Sequence, residues 1–136
     1  MAKQSKLIFL LCAVLLISLA GCQDKADILT RTWKLQDLRY TKPIPDAMKP
    51  TIQKSIDDLK KSYVISYSPD GSFAAQMNSQ VIHGSWKLNY NSSKISVVTD
   101  VGQKKDFEII ELTRSAYSFK AIEDGQEVIF VMVPAN

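Results

Sequence analysis

From Tyr63 to Val133 the chain repeats one device: a short stretch in which every second residue is apolar, then a link of hairpin length. Tyr63, Ile65 and Tyr67 alternate ahead of Pro69-Asp70-Gly71, and Phe73, Ala75 and Met77 follow. Trp86, Leu88 and Tyr90 lead into Asn91-Ser92-Ser93, and Ile95 and Val97 run on to Gly102-Gln103-Lys104. Phe107 and Ile109 precede Thr113-Arg114-Ser115, Tyr117, Phe119 and Ala121 precede Glu123-Asp124-Gly125, and Val128–Val133 closes the series. Alternation of this kind is the signature of strands with one buried face. Links this short force neighbouring strands to run antiparallel.

An earlier strand completes the set. Over Thr32–Tyr40, Trp33 and Leu35 share one face, while Leu38 and Tyr40 fall on the other parity, which predicts a bulge near Asp37. Eight strands, each with a single apolar phase, need a common interior. An all-β, eight-stranded antiparallel up-and-down barrel supplies one and leaves no exposed edge. A two-sheet β-sandwich is the alternative.

Between the first and second strands the pattern changes. Pro43, Pro45 and Pro50 break any ladder. Within Asp46–Ser62, Met48, Ile52, Ile56, Leu59 and then Tyr63 recur at helical spacing, and Pro50 is tolerated only in a first turn. One helix, firm from about Lys49, is expected there. Asp57 and Asp58 are adjacent and point about 100° apart on it, so they cannot work as a catalytic pair.

Residues 1–21 form a different kind of segment. Lys3 and Lys6 precede the apolar run Leu7–Leu19, and thirteen helical residues span only ~20 Å against a ~30 Å hydrocarbon core. A cleaved secretory signal fits better than a transmembrane helix. The run ends Leu19-Ala20-Gly21-Cys22, which resembles the lipobox of bacterial lipoproteins. That resemblance implies cleavage before Cys22 and acylation of its thiol, since a thiolate is nucleophilic enough to accept a diacylglycerol. The other reading is an incidental cysteine beside an ordinary cleavage site. Cys12 lies in the discarded segment, so an intradomain disulfide is excluded from the mature chain. The expected organisation is a signal at 1–21, a lipidated polar tether at 22–29 and a barrel at 30–136. In the lipoproteins this segment resembles, an aspartate after the cysteine is the usual inner-membrane retention signal, so Gln23 there implies the outer membrane of the bacterial envelope, with palmitate-type acyl chains as the anchor.

Charge restricts the partners. The chain carries 17 bases and 14 acids, but two of the bases are Lys3 and Lys6, so the mature part holds 15 against 14. A body so close to neutral offers nucleic acid no electrostatic footprint. Catalytic signals are also missing. The one histidine, His83, stands beside Gly84 without a cysteine or carboxylate cluster of metal-ligand spacing, and reads as a surface strand residue rather than a base. No nucleophile elbow or phosphate-cradling loop occurs. No enzyme activity, metal or cofactor is expected. Arg114 could stack over Trp33, or simply be solvated.

Several stretches together resemble the lipocalin-like domains of small bacterial lipoproteins. They are Thr32-Trp33-Lys34-Leu35, Ser68-Pro69-Asp70-Gly71-Ser72-Phe73, Gly84-Ser85-Trp86-Lys87-Leu88 and Phe107–Thr113, and the likeness covers roughly residues 29–133. Arg31 stands where lipocalins carry the glycine of Gly-x-Trp, and the helix is more similar to the lid of fatty-acid-binding proteins than to a lipocalin loop. The resemblance implies a barrel with an apolar cavity for a small hydrophobic ligand. Candidates to line it are Trp33, Leu35, Ile52, Ile56, Phe73, Met77, Trp86, Leu88, Phe107, Tyr117, Phe119 and Phe130, with Tyr90 also placed inward. The competing expectation is that these bulky groups fill the interior, leaving a structural or partner-binding module. Eight strands enclose just enough room for either.

Overall fold

The computed structural model describes residues 24–135. The predicted acylation site, Cys22, and the signal segment lie outside the described residues. Strands β1 (Thr32–Tyr40), β2 (Val64–Tyr67), β3 (Ser72–Met77), β4 (Gln80–Leu88), β5 (Lys94–Thr99), β6 (Lys104–Leu112), β7 (Tyr117–Glu123) and β8 (Gln126–Pro134) close into a barrel in sequence order. Every neighbouring pair is antiparallel, including β1 with β8, so the barrel rather than the sandwich is the observed architecture.

Helix α1 spans Lys25–Leu29 and helix α2 spans Lys49–Ser62, the latter entered through a 3-10 turn at Asp46–Met48. Pro50 sits in the first turn of α2, where its missing N–H costs nothing, and Lys60 and Lys61 occupy the last turn, favourable for the helix dipole. The β1–β8 register slips between Leu35 and Asp37, the bulge that moves Leu38 and Tyr40 back to the inside. A second slip, between Ile109 and Glu111, lets Leu112 turn inward at the end of β6. The β7–β8 hairpin turns on Asp124 and Gly125, both at positive φ (51° and 75°), the backbone a two-residue hairpin with right-handed strand twist requires.

The two ends of the barrel are built differently. The strand starts and links that include Thr32, Ser68–Gly71, Asn89–Ser93 and Thr113–Ala116 gather at one end, together with α1. This end is packed solid: Leu29, Trp33, Ile95, Tyr117 and Met132 are completely buried. Each large aromatic buried this way contributes roughly 4–6 kcal/mol of gross hydrophobic free energy. Asp24 caps α1 by accepting from the Ala26 N–H, Lys25 Nζ donates to the Leu112 carbonyl at 2.9 Å, and the Trp33 indole donates to the Leu29 carbonyl at 3.0 Å. Lys25–Leu29, read from sequence as part of a polar tether, thus form a helix docked on the barrel. The reason is that Ile28 and Leu29 cover the end of the barrel that the strands leave open.

At the other end β2 is short, and β1 pairs with it only through Thr32, Trp33 and Lys34. The upper part of β1 therefore has no strand on that side, and α2 packs there instead. Ile56 is buried, Ile52 and Leu59 are partly so, and Met48 stays 51% exposed at the edge of the stripe. Ser62 Oγ accepts from the Asn78 N–H at 3.0 Å, tying the end of α2 to the β3–β4 turn.

Candidate functional site

Beneath α2 the barrel is hollow. A cavity of about 310 Å³ opens at this end and is walled by inward residues from every strand, with Ser55, Ile56 and Leu59 of α2 over it. Outside α2 a shallower groove of about 670 Å³ runs between Lys42–Ile44, the first turns of the helix and the end of β1. Leu38, Tyr40 and Ile56 border both, so these three side chains form the partition between solvent and interior. The inner space is the better candidate site, because ligand pockets enclose most of the molecule they hold and measure ~300–1,000 Å³. A dry void of 310 Å³ would cost up to about 7 kcal/mol at ~24 cal/mol per Å³. Water at the mouth lowers that figure, and a ligand would recover more of it.

The floor and walls are aromatic. Phe119 and Phe130 stack almost parallel, 5.0 Å between centroids and 4° between planes. Phe107 packs on Phe119 at 5.1 Å, and Tyr63 leans on Phe130 at 5.6 Å. Tyr67 forms part of the floor, its hydroxyl paired with that of Tyr117 at 3.1 Å and its ring edge-on to Trp86 at 5.6 Å. Burial holds both of these hydroxyls protonated well above the ordinary tyrosine value of 10.0. Tyr63 is shifted the same way, first by burial, then by the charges of Tyr67 and Glu123.

Towards the mouth the inward phase turns polar. Thr99, Gln103, Lys105 and Glu123 ring the opening, continuing the parities of Val97, Phe107 and Ala121 below them. The apolar patterning overlooked these residues. Their signal was present as a switch from apolar to polar on an unbroken inward parity, which marks where a strand leaves the core.

Of the candidates taken from sequence, Ile56, Phe73, Met77, Phe107, Phe119 and Phe130 border the cavity. Ile52 faces the outer groove instead, one turn too early on α2 to reach inside. Trp33, Leu35, Trp86, Leu88 and Tyr117 are absent from the lining. They belong to or pack on the core nearer the closed end, where Trp33 meets Tyr117 at 5.4 Å and hydrogen-bonds to Leu29 of α1. Tyr90 is 99% exposed, because β4 ends at Leu88 and Tyr90 rides on the turn. Lining residues beyond the sequence candidates include Leu38, Tyr40, Leu59, Tyr63, Ile65, Tyr67, Ala75, Ile82, Val97 and Val128.

His83 is an exposed residue within β4, away from the cavity lining, as its surface-strand reading expects. Arginine stacking differs from expectation. The guanidinium over Trp33 is that of Arg31, 5.4 Å from the ring centroid, and its Nη1 donates to the Arg114 carbonyl at 2.7 Å. Arg31 thus occupies the place of the lipocalin glycine and roofs the same tryptophan. Gly84 has a role that sequence did not show. On the inward phase of β4, a Cβ there would run into the Val98 carbonyl and reach within 2.7 Å of the Phe73 ring.

No protein-family model matches the sequence, and no curated protein matches it. Among solved structures, a lipocalin-like protein from Bacteroides uniformis superposes with a TM-score of 0.52 at 16% identity, over 79% of this chain and 99% of its own. A DUF4847 family protein from Bacteroides vulgatus gives 0.49 at 11% identity, over 78% and 93%. The domain has the lipocalin-like fold.

Proposed function

We propose that this protein is a membrane-anchored binding protein for a small apolar molecule, held in the open half of its barrel. The observation that carries the reading is the 310 Å³ aromatic cavity between α2 and the Tyr67–Phe119–Phe130 floor. It also speaks against the competing picture of a filled barrel acting only through its outer surface, since only the α1 half is filled. The lining is apolar apart from the rim, so the site suits retention of a ligand rather than turnover.

Anchorage follows from Cys22 and the lipobox-like residues before it. Acylation there, at the outer membrane of the envelope, has a geometric consequence. Asp24, which caps the docked helix α1, is two positions on from Cys22, and two residues of chain reach at most ~7 Å. The closed end would rest on the bilayer, and the mouth would face the aqueous side. Ligand would then arrive from solution or from a carrier rather than from the anchoring leaflet.

Purification of residues 23–136 under native conditions, followed by mass spectrometry of extracted small molecules, tests the binding reading. A stoichiometric apolar compound is expected. Absence of any such compound, together with no uptake of the neutral fluorophore 1-aminoanthracene, would overturn it. For the anchor, labelling with a clickable fatty acid should mark the wild-type chain and not Cys22→Ser. Equal labelling of both would refute acylation at this cysteine.

A further inference from the structure

We infer that the cavity selects an uncharged molecule of roughly bicyclic size whose one hydrogen-bond acceptor pairs with the Tyr63 hydroxyl. This rests on the ligand-binding reading above and adds the chemical class. Four tyrosines approach the cavity region: Tyr67 and Tyr117 satisfy each other at 3.1 Å, Tyr40 stands in the partition and also borders the outer groove, and Tyr63 leans on the Phe130 floor. Tyr63 borders the cavity half-buried, and its hydroxyl has no protein hydrogen-bond partner among the described residues. A phenol that faces an apolar space without a protein partner offers its O–H to a ligand acceptor that reaches it, a gain of about one net hydrogen bond, ~0.5–1.5 kcal/mol.

The charge distribution sets the sign. Among the described residues, the only charged side chains bordering the space are Lys105 and Glu123, which stand at the rim, exposed and opposite in sign. They give the interior no net charge to pair with an ionic ligand. The Glu123 carboxylate is close enough to Tyr63 to disfavour its ionisation, in the same direction as burial. Tyr63 therefore stays a donor, and an anionic head group placed against it meets both a carboxylate and an apolar wall. A buried charge without a partner is far more costly than a buried carbonyl. Size sets the rest. At 310 Å³ the space lies at the small end of the ~300–1,000 Å³ range for ligand pockets, suited to a compact frame lying against Phe119 and Phe130.

Three ligands of nearly one shape separate these elements: 2-acetonaphthone, 2-ethylnaphthalene and 2-naphthoate, each competed against 1-aminoanthracene on residues 23–136 at pH 7. The ketone should bind at least tenfold tighter than the carboxylate. Tyr63→Phe should weaken the ketone about five- to tenfold, one net hydrogen bond, and leave the hydrocarbon within about twofold. Glu123→Gln should raise the affinity of the carboxylate severalfold, and by at least threefold more than it changes that of the ketone. A carboxylate that binds as tightly as the ketone would overturn the inference while leaving the binding function standing. So would equal weakening of ketone and hydrocarbon by Tyr63→Phe. If none of the three competes and the fluorophore itself is not taken up, the binding reading falls, and this inference with it.

Discussion

The closed and open halves of this barrel are made by the same strands with the same inward parity, yet one is solid and the other hollow. In the closed half, α1 pushes Leu29 over the opening, and Trp33 hydrogen-bonds back to it, so the aromatic interior has something to pack against from below. In the open half, the cover is a helix laid across a gap that a four-residue β2 cannot fill. A helix bridging strands meets the barrel along one stripe, here Ile52, Ile56 and Leu59, and the space beneath it stays empty. Hollowness is thus a property of what caps each end, not of how apolar the interior is.

That contrast predicts unequal responses to similar truncations. Trp33→Ala should cost about 3–5 kcal/mol in urea unfolding, the usual penalty for deleting a fully buried tryptophan with no room to collapse. Gly84→Ala should come next, at about 1–3 kcal/mol or more, since the added methyl meets the Val98 backbone and the Phe73 ring. Met77→Ala, by comparison, removes a side chain that already borders open space, and should cost under ~1.5 kcal/mol while widening the cavity. If Trp33 and Met77 proved equally costly, the two halves would not differ in packing as described.

Alkaline pH probes the floor between the halves. In the folded protein, burial keeps Tyr67 and Tyr117 protonated above the ordinary value of 10.0. In the unfolded chain they release their protons near that value. Above about pH 10 the unfolded state therefore binds fewer protons, and stability falls as pH rises, by about 1.4 kcal/mol per pH unit for each tyrosine. Below pH 10 these groups contribute no slope. Urea midpoints measured from pH 9 to 12 should show the decline, and Tyr117→Phe should make it shallower. The smallest effect belongs to the outer wall. Lys120 bridges Glu108 at 3.6 Å and Glu127 at 3.4 Å across three strands, but as a surface network its loss in Lys120→Met should change stability by about 1 kcal/mol or less and ligand binding not at all.

Much of this architecture was legible in the sequence, and the limit is informative. Alternation placed Ile95, Val97, Tyr117, Phe119 and Ala121 inside, and the parity change after Leu35 located the bulge, because inside and outside are what a period of two encodes. Height along the barrel axis is not encoded that way. Trp33 and Phe119 carry the same inward mark, but one belongs to the plug and the other to the cavity wall. Their levels depend on strand register and on the caps, which are non-local. Helix α1 was missed because five residues are too few to show a period, and its stability comes from docking through Leu29. Tyr63 read as one more apolar residue of a strand. Its unpaired hydroxyl becomes visible only once Tyr67 and Tyr117 are seen to satisfy each other.

The central claim is that the interior is accessible at one end only. Methyl NMR of residues 23–136 during titration with 2-acetonaphthone tests it most directly. The account predicts saturable shifts for the methyls of Ile56, Leu59, Ile65, Val97 and Val128, which surround the cavity, and no comparable shifts for Leu29, Ile95, Leu112 and Met132 in the plug. Equal shifts in both sets, or none in the first at millimolar ligand, would contradict it.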